Sequence, residues 1–541
     1  MKSAYMEVYR AMNVTNRRAQ IAVLAAGAAL LLFTATGLAQ LIDKTKAPNI
    51  ADEGINKSLI LQIGAGRGDW ITPDSSSFII ARDPFRSIRR GRQLFQRKFT
   101  RAEGQGPVMN DGFGDINTNL AIGAGLSDSC ASCHGRPRGS AGAGGDVATR
   151  PDSRDAPHLF GLGLKEMLAD EITADLRAIK ARAISDALDQ HRSITRQLRS
   201  KGINYGSITA NSDGSVNTAD VQGVDNDLRI RPFFHHGGTI SIREFVVGAL
   251  NAEMGLQAVD PDLTAASTGA RITTPSGMVL DGSLDSVEAP RAASEIDDPD
   301  GDGKVNEIPT SLVDHFEFYL LNYFKPATYE QTNNTRQGRG LFDQIGCAGC
   351  HIPDLQINQD RRVADVETVY DPVNGIFNNL FATANPLFRT TDDGSGFPLV
   401  KAPRLQPFLV RNIFTDFRRH DLGPSFYERN YDGTIRTQLM TTALWGVGSS
   451  GPYGHDGRSI NLAEVILRHG GEAQGVRDTF SRLSVPNRNA ILDFLNSLVL
   501  FPPDDTASNL NRGNRNALGF PQFGHGSIRL TVLFNNPLDI E

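Results

Sequence analysis

Cys130-Ala131-Ser132-Cys133-His134 and Cys347-Ala348-Gly349-Cys350-His351 use all four cysteines of this 541-residue chain. C-x-x-C-H is the attachment signature of c-type haem: the thiols add to the porphyrin vinyl groups, and the adjacent histidine becomes the proximal iron ligand. A zinc ribbon would bring its cysteine pairs within a few tens of residues, whereas more than two hundred separate these. A redox dithiol needs no histidine after its second cysteine, and both copies have one. The pattern therefore predicts two covalently attached haem c groups, one on Cys130, Cys133 and His134, the other on Cys347, Cys350 and His351. No cysteine is left for a structural disulfide.

Arg17 and Arg18 precede an apolar run, Ala19 to Leu38, that closes on the small-residue boundary Gly37-Leu38-Ala39-Gln40. Residues 1–39 thus read as a signal peptide or, because the run is long, as an N-terminal membrane anchor over 19–39. Both readings predict a periplasmic body, on the side of the bacterial inner membrane where haem c is assembled, with a membrane partner only if the segment stays uncleaved. The formal net charge is -6; Lys2, Arg10, Arg17 and Arg18 against Glu7 make the leader +3, so the body carries -9. That acidity argues against nucleic acid as a partner and suits a small basic electron donor of the cytochrome c or cupredoxin type.

Short motifs recur around the two haem signatures. Arg90-Gly91-Arg92-Gln93-Leu94-Phe95 is echoed by Gln337-Gly338-Arg339-Gly340-Leu341-Phe342, and Phe160-Gly161-Leu162-Gly163 by Trp445-Gly446-Val447-Gly448. Gly237-Gly238-Thr239-Ile240-Ser241-Ile242-Arg243-Glu244 aligns without a gap to Gly457-Arg458-Ser459-Ile460-Asn461-Leu462-Ala463-Glu464. The repeat predicts a first haem domain over 40–320 and a second over 321–541, the latter ending in a tail from Pro502 with a strand-like run, Ile528 to Phe534. Helical composition over Gly163–Arg199 and Ser311–Tyr323, with few strand signals, predicts a mainly α fold: two tandem c-type cytochrome domains, long loops and few short strands.

Asp298-Pro299-Asp300-Gly301-Asp302-Gly303 places carboxylates at positions 1, 3 and 5 and a glycine at 6, the order of a calcium loop. Position 12 is Pro309 rather than glutamate, so the missing oxygens fall to Asn306 or Glu307. The expected metal here is Ca2+; the plain alternative is an acidic turn.

Phe233-Phe234-His235-His236-Gly237 with Glu253-Met254 resembles the F-W-D-G…E-M segment of the bacterial dihaem cytochrome c peroxidase and MauG superfamily, and Pro452-Tyr453-Gly454-His455-Asp456-Gly457 its P-Y-x-H-D-G block. Asp155-Ala156-Pro157, His420-Asp421-Leu422-Gly423, Leu444-Trp445-Gly446 and His469-Gly470-Gly471-Glu472-Ala473 are closest to the di-haem oxidoreductase, thiol oxidoreductase-like branch. The resemblance runs over roughly residues 85–500. It implies a periplasmic dihaem oxidoreductase in which hydrogen peroxide or another small oxidant meets the first haem. It also implies that Glu253 is the glutamate that manages protons during O–O cleavage.

The gapless repeat bears on axial ligation. His469, twelve residues past Gly457, is placed to give the second haem His351/His469 ligation, with His420 as the other candidate; the matching position in the first copy is Ala249, which cannot ligate iron. One haem is thus expected closed and the other open, the division between electron storage and catalysis. His158 could cap the open site at rest, and His235 stands where the family's tryptophan lies between the haems. Three functions fit: a peroxidase, a MauG-like or thiol-oxidising enzyme, or a dihaem electron carrier with both irons closed.

Overall fold

The helix Thr310–Leu321 is buried at every residue from Ser311 to Leu321, on all sides rather than along one stripe, so the first part of the fold is assembled around it. The computed structural model describes residues 58–106, 127–134, 155–323, 325–329, 331–373, 380–430, 433–500, 526–527 and 530–536. The chain divides into two units, Met1–Ala51 and Asp52–Glu541. The expected signal or anchor segment, 1–39, lies outside the described residues. No helix among the described residues is long and apolar enough to cross a membrane.

In chain order the elements that build the site are α1 (Pro84–Gln96), α2 (Cys130–His134), α3 (Leu162–Asp189), α4 (Ile242–Met254), α5 (Thr310–Leu321), α6 (Asn333–Ile345), α7 (Leu462–Arg468) and α8 (Val485–Asn496). α1 lies against α5 at Gly91, where a Cβ would stand 2.0 Å from the His315 carbonyl oxygen. α6 meets α8 in the same way at Gly338, whose Cβ would stand 1.8 Å from the Ala490 carbonyl oxygen. These are the two glycines paired in the sequence repeat, and each is there because the backbones touch.

The helices that follow the other repeated block also start alike. Ser241 accepts from the Glu244 N–H at 3.1 Å, while Glu244 returns a carboxylate oxygen to the Ile240 N–H at 2.9 Å. Asn461 accepts from the Glu464 N–H at 2.9 Å, and Glu464 caps the Ile460 N–H at 3.0 Å. Each pair satisfies two N–H groups that a helix start leaves without partners. Beneath α4, the fully buried Arg243 is paired with Asp260 at 2.7 Å, Asp314 at 2.9 Å and Glu317 at 2.8 Å. A buried cation needs such partners, and here they tie α4 to α5.

The mainly α expectation is corrected. The described residues are 38% helix and 18% strand, with eighteen strands in eight small sheets. The predicted helix 163–199 stops at Asp189, and Ile194–Ser200 opens an antiparallel sheet with Ile203–Ala210 and Val216–Asn217. Ala364–Tyr370 pairs with Leu380–Pro386. The strands run from two residues to eight, too short for alternation to stand out in the sequence. Within the tail, Leu530–Leu533 is a helical turn rather than a strand, and the Phe534 ring packs 5.6 Å from that of Phe85.

Candidate functional site

Two cavities dominate the interior, one enclosing about 1610 Å³ and the other about 1860 Å³ counted out to open solvent. Each contains one C-x-x-C-H motif. Cys130, Cys133 and His134 line the first; Cys347, Cys350 and His351 line the second.

The motif histidines are oriented alike. His134 donates its Nδ1–H to the Pro157 carbonyl at 2.7 Å, and His351 donates to Phe414 O at 3.0 Å. Each bond fixes the tautomer and leaves Nε2 as the ligating nitrogen. Burial pulls His351 down to about 4, so its imidazole is neutral, as a ligand must be. Burial also pushes the Cys130 and Cys347 thiols up to about 12. A nucleophilic dithiol needs the opposite shift, so these cysteines suit attachment better than thiol exchange. Apolar walls, oriented imidazoles and paired thiols together fit haem at both motifs.

The sides facing the two motifs differ. α4 supplies Phe245, Val246, Ala249 and Glu253 to the first cavity, so the position expected to lack a ligand does carry a methyl group there. In the second cavity His469 caps the C-terminus of α7 and donates its Nδ1–H to Val465 O at 2.8 Å, leaving Nε2 for a metal. Its pKa is lowered by burial, which keeps the ring neutral.

His420 lines the same cavity, but Asp416 holds its Nε2 at 2.9 Å and Glu472 its Nδ1 at 2.7 Å. Burial opposes its charge, yet the bonds to Asp416, Cys350 and Glu472 outweigh this and raise it to about 10. An imidazolium held at both nitrogens has no lone pair for iron. His420, Asp416 and Cys350 lie within reach of one metal ion, but the charge on His420 speaks against that use.

The cavities share a partition. Asp155, His158, Lys165, His235 and residues 440–443 line both. His235 therefore stands between the two motifs, with its ring 5.9 Å from that of His455. His158 donates Nε2–H to the Trp445 carbonyl at 3.1 Å, and burial lowers it to about 3. The Trp445 ring covers Gly161, where a Cβ would come within 2.6 Å of it at a φ of +72°. Repeated glycine motifs thus meet across the partition. Sequence reasoning missed Lys165: it directly follows Gly161–Leu164, but nothing in one dimension separates it from other helical lysines.

The carboxylates of Asp298, Asp300 and Asp302 lie within 4.8 Å of one another. Asp298 is held by the N–H groups of Gly301 at 2.8 Å and Gly303 at 3.0 Å. Glu307 is 5% exposed; one carboxylate oxygen accepts from the Gln257 N–H at 2.7 Å, and the other is buried without a partner among the described residues. Asn306 likewise keeps a buried Oδ1 without a partner. Burial, and after it the three aspartates, push Glu307 up to about 8. Gln257 also donates to Asp300 at 3.3 Å and to Asn251 of α4 at 3.1 Å. The loop therefore abuts the end of the helix that carries Glu253.

No curated protein matches this chain. Residues 355–498 match the model of a family described as "Di-haem oxidoreductase, putative peroxidase". That stretch contains His420, Trp445, His455 and His469, and begins four residues after His351. On this match, the part of the chain that forms most of the second cavity is similar to the di-haem oxidoreductases, which supports a haem-dependent oxidoreductase as the general class.

Proposed function

We propose that this chain is an exported dihaem c-type oxidoreductase of the peroxidase kind. Electrons from a small donor protein are taken up at the second site, and peroxide is reduced at the first. Cys130, Cys133 and His134 hold one haem; Cys347, Cys350, His351 and His469 hold the other. When bound, haem would supply a redox-active iron able to deliver electrons to an oxygen substrate. The observation that carries the reading is the unequal facing of the two cavities, Ala249 in one and His469 in the other.

Reducing one peroxide to two waters takes two electrons and two protons. Glu253 is the carboxylate of α4 within the first cavity; it accepts a proton from the nearer oxygen and returns it to the leaving one. The partition around His235 sets the distance the electrons cross. Asp298, Asp300 and Asp302, with the spare oxygens of Glu307 and Asn306, would hold Ca2+ and so steady the end of α4.

The test is peroxide turnover by the haem-loaded protein with a reduced small cytochrome c as donor, before and after prereduction. Turnover upholds the reading. No turnover in either state, combined with carbon monoxide binding to neither iron, would make the protein an electron carrier. Carbon monoxide binding without peroxide turnover would favour oxidation of another substrate, such as a thiol.

A further inference from the structure

The partition between the cavities contains an ammonium group with no anion of its own among the described residues. Lys165 lies in the first turn of α3, is half-buried, and lines both cavities. Among the described residues it is the one lysine or arginine of the first cavity's lining. In the second the other is Arg477, which is paired with Asp478 at 2.7 Å. No hydrogen bond or ion pair joins Lys165 to any described side chain. Its neighbour His158 is kept neutral by burial and does not neutralise it.

An ammonium withdrawn from water without a counter-ion is costly, and native folds keep such groups only where a partner repays the cost. Burial alone brings Lys165 down to about 8, which shows how little the protein itself compensates it. The cavities fit haem, and each haem brings two propionate carboxylates. Lys165 also projects from the start of a helix, where the unpaired N–H groups favour negative charge as well.

Resting on the dihaem reading above, we infer that Lys165 is the shared counter-ion of the two haems, pairing a propionate from each across the partition and setting both reduction potentials. A cation beside a haem favours the reduced iron, whose net charge is lower by one. One lysine touching both groups therefore raises both potentials together and couples them: reducing one haem lessens the pull left for the other.

The experiment is a potentiometric titration of wild type, K165M, K165Q and K165R, followed by visible and EPR spectra, after haemochrome analysis of each protein. Haemochrome analysis comes first because fewer than two haem c per wild-type chain overturns the dihaem reading itself, whatever Lys165 does. With two haems present, K165M should make each haem about tenfold harder to reduce, a fall of about 59 mV for a one-electron couple. K165R should stay within about threefold of wild type. K165Q keeps a polar side chain but removes the charge, and replaces K165M should the methionine variant not load haem. Unchanged potentials in a fully loaded K165Q or K165M overturn the inference. A fall at one haem alone overturns the sharing.

Discussion

His351 and His469 enter one cavity from opposite ends of the second repeat, and each gives its Nδ1 proton to a backbone carbonyl, Phe414 O at 3.0 Å and Val465 O at 2.8 Å. A carbonyl can only accept, so both rings are fixed as the tautomer whose Nε2 is free to bind metal. Two imidazoles prepared in the same way are the arrangement a six-coordinate iron requires; in the first cavity the aligned position is Ala249.

The haem-loaded protein should accordingly show one low-spin and one high-spin ferric signal of comparable weight in low-temperature EPR. His469→Ala should convert the low-spin signal to high-spin, and added imidazole should restore it. Ala249→His should do the reverse at the first site and reduce peroxide turnover by at least tenfold. A low-spin signal that survives His469→Ala would remove His469 from the coordination sphere.

Glu253→Gln keeps the size of the side chain and removes its basicity. Proton transfer by a positioned group contributes roughly 10²–10⁴-fold, so kcat for peroxide should fall by that range, while both haem spectra and the haem content stay as in wild type. Stopped-flow turnover with a reduced cytochrome measures it.

Calcium should stabilise the fold by mass action, about 2.7 kcal/mol at a hundredfold excess over Kd. Titrating Ca2+ into chelator-treated protein should therefore raise Tm, and Asp300→Asn or Glu307→Gln should abolish the rise. Chelation should also weaken peroxide turnover, because Gln257 bonds Glu307, Asp300 and Asn251 of the Glu253 helix. An identical Tm with and without Ca2+ sinks the assignment.

Arg243 is 0% exposed and paired with four carboxylates, those of Asp260, Asp262, Asp314 and Glu317. Removing one side of a buried ionic group typically costs ~3–5 kcal/mol. Arg243→Met should lose about that much in urea unfolding, more than Arg196→Met, whose pair with Asp186 is at the surface.

Glu166 accepts from the Ile242 N–H at 2.7 Å and pairs with Arg361 at 2.7 Å. Burial nevertheless outweighs Arg361 and raises the carboxyl from 4.5 to about 7. The folded state then holds this proton more tightly than the unfolded chain, so its contribution to stability declines as pH climbs from about 4.5 to 7 and is level above that. Glu166→Gln should flatten the slope of urea midpoint against pH over that window. An unaltered slope would show the carboxyl ionised throughout.

How much of this was legible in one dimension follows from how local each signal is. The attachment motifs, and the recurring blocks that hold Gly91, Gly338, Ser241 and Asn461, each depend on a few adjacent residues, and the repeat made them visible twice. The contrast between Ala249 and His469 came from counting along that repeat. The small sheets went unseen because their pairing partners are remote and their strands brief. Lys165 and His420 were unreadable for a related reason. What matters about each is the charge that packs beside it, and Asp416, Glu472 and the partition residues come from separate stretches of chain.

α4 and α7 begin with the same reciprocal cap, yet α7 stops at Arg468 while α4 continues to Met254. At the aligned position one helix has run out, and the residue that ends it is a histidine; the other still has more than a turn to go, enough to bring Glu253 to the cavity. On the proposed reading, the two repeats take different roles through helix length. If that reading holds, a protein engineer could move a site between storing charge and admitting a substrate by changing where a single helix is told to end.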